Sequence, residues 1–193
     1  MKDSKIKSLA VTAVMSALMC VLGPISLPIG PVPISLTNFV ILLSVYILGA
    51  RRGSLSVLIY LLIGMTGVPV FSGFQGGFFK LAGPTGGYLI GFLPMALLAG
   101  IMIEKGRRRP LPALAGMIAA IWLDYLMGTL WLAASQHIDA RAAFAAGVLP
   151  FIAWDLVKAF LALQAGRAVR SALSRAGLLL RDDTDLAGAQ KAH

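Results

Sequence analysis

The sequence predicts an all-α membrane protein with six transmembrane helices and both termini on the cytoplasmic side. Of its 193 residues, 58% are hydrophobic and only 13% are charged. The mean hydropathy is +0.84. No ordinary soluble domain has this balance. The apolar residues also fall into six separate stretches, and the basic residues gather at alternate ends of those stretches.

The six stretches approach the length that a bilayer requires, since a core about 30 Å thick is crossed by about 20 helical residues. The third stretch is short, and we expect a tilted or partly broken helix there that continues into residues 68–70. The predicted spans are residues 6–23, 35–50, 54–67, 83–103, 111–135 and 146–165. Together they form a single substrate-binding domain over residues 1–180. Residues 181–193 are polar and are predicted to be a disordered tail.

The basic residues predict the orientation of the spans. One group of basic residues precedes the first span, and three others follow the second, fourth and sixth spans. With six spans, all four groups lie on the same side of the membrane. The opposite side has only Lys80 and Arg141. Cytoplasmic loops are enriched in Lys and Arg, so the four groups are predicted to lie inside the cell. The net charge of +9 follows from this asymmetry and need not indicate nucleic acid. The four groups are Lys2, Lys5 and Lys7; Arg51 and Arg52; Lys105, Arg107, Arg108 and Arg109; and Arg167, Arg170, Arg175 and Arg181.

Asp155 and Lys158 interrupt the apolar sixth span. An ionised residue near the middle of a membrane helix costs roughly 2.5–3.5 kcal/mol on insertion scales. The i,i+3 spacing puts both side chains on one face of the helix, where they can pair. Such a pair usually holds a polar ligand, an ion or a proton. The alternative is a pair that only neutralises itself, although two leucines would be simpler.

The two outward loops have unusual compositions. Residues 23–33 contain four prolines, which predict a rigid, non-helical connection. Residues 68–82 are rich in glycine and phenylalanine and nearly uncharged. A flexible loop of that composition would aggregate in water, so we expect it to fold over the mouth of the protein as a lid.

The fourth span opens with Gly-Pro-Thr-Gly-Gly-Tyr at residues 83–88. Gly83, Gly87 and Gly91 are four residues apart, which permits close approach of another helix. Alternatively, Thr85 and the backbone N–H groups of Gly86 and Gly87 face a ligand at the start of the helix. No P-loop pattern occurs in the sequence, so ATP hydrolysis is not predicted for this chain.

Two further features of the spans leave alternatives open. Ala13 and Ala17 form a small-residue face on the first span, for packing either within the bundle or against a separate membrane subunit. Asp124 in the fifth span either makes a structural hydrogen bond or contacts a ligand.

The motif at residues 83–92, with Trp131-Leu132 and the segment 149–159 that carries Asp155 and Lys158, resembles the BioY family. BioY proteins are biotin-binding S components of energy-coupling factor (ECF) transporters. The resemblance covers roughly residues 6–170. It implies six helices in the cell membrane, capture of biotin from outside, and partnership with a transmembrane T subunit and two ATPases. It also implies that Ala13 and Ala17 contact the T subunit. Asp155 and Lys158 match the ligand-binding pair of the family.

The chemistry of biotin agrees with this resemblance. Its ureido ring offers two N–H donors, which suit Asp155, and a carbonyl acceptor, which suits Lys158. The remaining predicted substrate-binding residues are Thr85, Gly86, Gly87, Tyr88, Phe74 and Gln75, with Phe71 and Phe78 as further apolar candidates. Lys80 is a candidate, by location, for the biotin carboxylate.

Two other function classes remain open. A proton-coupled transporter of a small polar solute would also use a buried Asp–Lys pair, and Asp124 would extend the relay. An enzyme is not predicted, because the sequence has no combination of nucleophile and base. No cofactor or metal is expected, since His137 and His193 are far apart and Cys20 is the only cysteine.

Overall fold

The computed structural model describes residues 2–28 and 32–176, and the side chains from residue 6 onwards within those ranges. Helix occupies 77% of the described residues, which confirms the all-α prediction. The predicted tail, residues 181–193, lies outside the described residues. The described helices are α1 (Lys2–Leu22), α2 (Thr37–Leu48), α3 (Ala50–Met65), α4 (Phe78–Ala82), α5 (Gly86–Lys105), α6 (Pro110–Gln136), α7 (Ala140–Gly147) and α8 (Ile152–Arg175). A short antiparallel ribbon pairs β1 (Ser26–Leu27) with β2 (Ile34–Ser35).

The six longest helices overlap the six predicted spans, whereas α4 and α7 are short helices within the connections. Helices α5 and α6 are long and apolar enough to cross a membrane. Helices α7 and α8 provide a third such segment if the pair, bent by 48°, forms one span. Helix α2 and the described apolar part of α1 are shorter. The count of six spans and the orientation therefore remain predictions.

Two boundaries differ from the sequence prediction because of local backbone chemistry. Helix α3 ends at Met65 and does not continue through residues 68–70, since Gly67 has a φ of 102° and Pro69 follows. The predicted sixth span begins within the last two residues of α7 and, after a break, continues as α8. Pro150 lies in the break, where it cannot donate a backbone hydrogen bond to a continuous helix.

Glycines allow close contact between α5 and α6. A Cβ atom at Gly87 would lie 2.2 Å from Cβ of Trp131, and one at Gly91 would lie 2.3 Å from Oδ1 of Asp124. These distances confirm the packing interpretation for Gly87 and Gly91. Gly83 differs, because its carbonyl accepts a 2.9 Å hydrogen bond from Nε1 of Trp131. The packing brings Asp124 against α5, whose N-cap residue is Thr85.

Candidate functional site

A cavity opens where the first turns of α2, α5 and α8 come together. It is completed by the middle of α6, by the end of the β1–β2 ribbon and by Ser72 of the second predicted outward loop. Its empty volume is about 520 Å³, including the open mouth. The basic clusters lie at the other ends of these helices, as Lys105 in α5 and Arg175 in α8 illustrate. The cavity is therefore at the end of the bundle that the charge pattern predicts to face outward.

Asp155 is the centre of the polar network in this cavity. Its carboxylate is 3% exposed and accepts hydrogen bonds from three side chains. Lys158 donates from Nζ to Oδ1 at 2.9 Å, and Tyr125 donates from its hydroxyl to Oδ2 at 2.6 Å. Asn38 donates from Nδ2 to the same Oδ2 at 3.3 Å. The predicted Asp155–Lys158 pair forms, and it faces a cavity.

Asn38 and Tyr125 were not among the residues predicted from the sequence for this site. Asn38 is the only amide side chain in α2, which is otherwise mostly apolar, and a lone amide in such a helix was the available signal. Tyr125 directly follows Asp124, whose carboxyl group is the more conspicuous polar feature of this apolar span. The hydrogen bond between Tyr125 and Asp155 depends on the packing of α6 against α8, and no local sequence pattern indicates that packing.

Thr85 and Tyr88 line the same cavity as Asp155 and Lys158. The hydroxyl of Tyr88 donates a 3.0 Å hydrogen bond to the carbonyl oxygen of Gly147, which ties α5 to α7. Oγ1 of Thr85 is buried without a hydrogen-bond partner. Gly86 and Gly87 are not among the lining residues; a Cβ atom at Gly86 would lie 1.7 Å from the carbonyl oxygen of Leu81.

The structure places Phe74 and Gln75 outside the cavity. Phe74 is 69% exposed, in a turn whose ends are joined by reciprocal backbone hydrogen bonds between Phe71 and Gln75, at 2.8 and 3.2 Å. Phe71 is fully buried against Tyr60, with ring centroids 5.6 Å apart. Phe78 is largely exposed. The segment 68–82 is therefore structured, with a tight turn followed by α4, and Ser72 is its contribution to the cavity wall.

Lys80 lies in a second cleft beside the cavity. Gln75 also lines this cleft, and Thr85 is common to the cleft and the cavity. Partial burial lowers the pKa of the Lys80 ammonium group below its usual range. An anionic group bound here would favour the charged form of Lys80.

Ala13 and Ala17 are exposed on the outer face of α1, whereas Thr12 and Ser16 point into the bundle. Oγ of Ser16 donates a 3.0 Å hydrogen bond to the carbonyl oxygen of Ser56 in α3. The two alanines therefore leave a smooth surface available to another molecule.

Asp124 also lines the cavity, and it is 1% exposed. Its Oδ1 atom has no hydrogen-bond partner, so the structural hydrogen bond considered for this residue is not made by that oxygen. No group of three or more His, Cys, Asp or Glu side chains suited to a metal ion occurs within the described ranges.

The sequence and the fold agree with comparisons to known proteins. The model of the BioY family matches residues 1–175. This chain belongs to the BioY family. The match includes every residue that forms the cavity, and it confirms the resemblance drawn from the motifs at 83–92 and 149–159.

Relatives of this BioY-family chain include transporters from archaea and bacteria. The probable biotin transporter BioY of Pyrococcus horikoshii is 43% identical over 155 residues, which cover 80% of this chain and 91% of that protein. The biotin transporter BioY2 of Lactococcus lactis is 36% identical over 174 residues, covering 90% and 96%. A crystal structure of the S-component for biotin from an ECF-type ABC transporter matches with a TM-score of 0.84 and 30% identity. That match covers 89% of this chain and 94% of the solved one.

Proposed function

We propose that this protein is the biotin-binding S component of an ECF-type ABC transporter and that it captures biotin in the cavity around Asp155. The observation that carries the proposal is a buried charged pair, Asp155 and Lys158, that faces a cavity whose wall combines apolar side chains with several polar ones. Family membership and the biotin transporters among the relatives support the same function. A mostly apolar cavity with a few convergent polar groups is the usual form of a small-molecule site.

The cavity has the donors and acceptors that a ureido ring requires. Lys158 donates one hydrogen bond to Asp155, so further N–H donors remain for the ureido carbonyl. Asp155 accepts from a ureido N–H. Phe92 and Phe151 provide apolar surface for the bicyclic ring. A valerate chain that leaves the cavity past Thr85 enters the cleft of Lys80, where the ammonium group would bind the carboxylate.

The proposed role is binding and uptake, not catalysis. ATP would be hydrolysed by two partner ATPases, and a transmembrane T subunit would connect them to this chain in the cell membrane. The exposed Ala13–Ala17 face of α1 is the proposed contact with the T subunit, because small side chains allow another helix to approach closely. The site needs no cofactor, since biotin is its ligand.

Equilibrium binding of radiolabelled biotin to the purified protein in detergent tests this function. We expect saturable binding that unlabelled biotin displaces and that thiamine, which lacks a ureido group, does not. The Asp155→Asn variant keeps the shape of the side chain and removes the charged acceptor. Loss of a charge-assisted hydrogen bond is worth roughly 1.5–3 kcal/mol, or about ten- to more than a hundredfold in affinity. Absence of binding by the wild-type protein would refute the function, and unchanged binding by Asp155→Asn would exclude Asp155 from the site.

A further inference from the structure

Asp155 alone cannot satisfy both N–H donors of a ureido ring. A carboxylate has about four lone-pair positions for hydrogen bonds. Lys158, Tyr125 and Asn38 already use three of them. One position is left for a ligand, whereas the ureido ring has two N–H groups. A second acceptor is needed in the same cavity.

Asp124 is the carboxyl group that can supply this acceptor. It is 1% exposed and lines the cavity that contains Asp155. No side chain or backbone N–H within the described residues donates to its Oδ1 atom. Gly91 leaves the space that the carboxyl group occupies, because a Cβ atom there would lie 2.3 Å from Oδ1.

A buried carboxyl oxygen without a partner costs free energy, so its presence requires a compensating use. Asp155 shows that this protein can surround a buried carboxylate with donors, since three side chains reach it. Asp124 receives no such support at Oδ1, although Tyr125 is its neighbour in sequence. This difference is expected if Asp155 organises the polar side chains of the cavity and Asp124 is left free for a ligand.

We propose that Asp124 is a further ligand-binding residue, which accepts the second ureido N–H of biotin while Asp155 accepts the first. This inference rests on the proposed function. Asp155 also positions Lys158 and Tyr125, whereas Asp124 acts on the ligand alone. The two carboxyl groups together recognise a ring with two N–H donors, and they discriminate against rings in which one nitrogen is blocked.

Biotin analogues methylated on either ureido nitrogen, combined with substitutions of Asp124, test the inference. For the wild type, we expect at least tenfold weaker binding of each analogue than of biotin. Asp124→Leu should bind biotin ten- to a hundredfold more weakly than the wild type. The affinity of Asp124→Leu for the analogue methylated on the nitrogen that faces Asp124 should be little lower than its affinity for biotin. Asp124→Asn keeps one acceptor oxygen and the same shape. Its affinity for biotin should lie between those of the wild type and Asp124→Leu.

Stability without ligand separates this role from a structural one. Removal of an unpartnered buried carboxyl group should leave the thermal unfolding temperature of the ligand-free protein unchanged or higher. Asp139→Asn is the matched control, because Asp139 is exposed and its Oδ1 accepts a 2.6 Å hydrogen bond from the N–H of Ala142, away from the cavity. It should bind biotin as the wild type does.

The outcomes distinguish this inference from the proposed function. If the wild type binds biotin and both Asp124 variants bind it with the affinity of the wild type, Asp124 is not a ligand-binding residue and the function stands. If the variants unfold at lower temperature and lose equal affinity for biotin and both methylated analogues, the residue is structural. If the wild type binds no biotin, the proposed function fails, and the role of Asp124 fails with it.

Discussion

The two ends of the helical bundle differ in how they satisfy their polar groups. At the basic end, where α2, α5 and α8 finish, charged side chains bind backbone groups at the ends of neighbouring helices. Glu104 accepts a 2.8 Å hydrogen bond from the N–H of Ala50 at the start of α3. Arg170 donates to the carbonyl oxygen of Ile47 at 2.9 Å, and Arg108 donates to that of Tyr46. These contacts cross between α2, α3, α5 and α8.

At the cavity end, the backbone is irregular and polar groups are left without partners. Short helices, a two-residue ribbon and the tight turn between Phe71 and Gln75 replace long helices there. Oγ1 of Thr85, Oδ1 of Asp124 and Oγ1 of Thr129 are buried in this half without a hydrogen bond, whereas Oγ of Ser54 is the corresponding atom toward the basic end of the described residues. Proteins usually satisfy buried polar groups, and exceptions cluster at functional sites. The basic end therefore contributes to stability alone, whereas the cavity end also binds the ligand.

The largest effect is expected from breaking the Asp155–Lys158 pair. Lys158→Met leaves the buried carboxylate without its cation, which costs about 3–5 kcal/mol in comparable pairs. Biotin affinity and the thermal unfolding temperature should both fall. The Asp155→Asn, Lys158→Met double variant should recover much of the stability but none of the binding. Recovery of binding in the double variant would show that the pair only neutralises itself.

The second predicted outward loop should close over the ligand. A cysteine introduced at Ser72, with Cys20 first changed to Ala, should react with a membrane-impermeant thiol reagent added outside the cell. Saturating biotin should slow the reaction several-fold, because Ser72 lines the cavity. Reaction from the cytoplasmic side only would contradict the orientation, and an equal rate with biotin would contradict closure.

Damage at the basic end should reduce stability without changing biotin affinity. Glu104→Ala removes the acceptor for the N–H of Ala50, and loss of a side-chain acceptor at a helix start costs about 0.5–2 kcal/mol. Glu104→Gln keeps an oxygen acceptor and serves as the matched control, with a smaller loss. Thermal unfolding and biotin titration of the same samples check this. A loss of affinity as large as that of Lys158→Met would remove the proposed difference between the two ends.

The smallest effect on the isolated protein is expected at the outer face of α1. Ala13→Trp and Ala17→Trp should retain both biotin binding and unfolding temperature, because these residues are exposed. They should fail to assemble with the T subunit in co-purification. Ser16→Trp is the contrasting control, since Ser16 is 2% exposed and should disrupt the bundle. Normal assembly of the alanine variants would place the partner surface elsewhere.

The sequence predicted the helical segments and the ion pair because both depend on local patterns. Hydropathy marks a long apolar helix, and i,i+3 spacing places Asp155 beside Lys158. Packing determines the rest. Asn38 meets Asp155 across 117 residues of sequence, and no periodicity reports such a contact. The break at Pro150 was obscured because apolar residues continue on both sides of it.

Hydrogen–deuterium exchange with and without biotin tests the assignment of the two ends most directly. We predict that biotin slows amide exchange in segments 68–86 and 147–152, at the cavity end. Exchange in segments 46–51 and 104–109, at the basic end, should remain the same. Protection confined to the basic end, with no change around the cavity, would contradict the account.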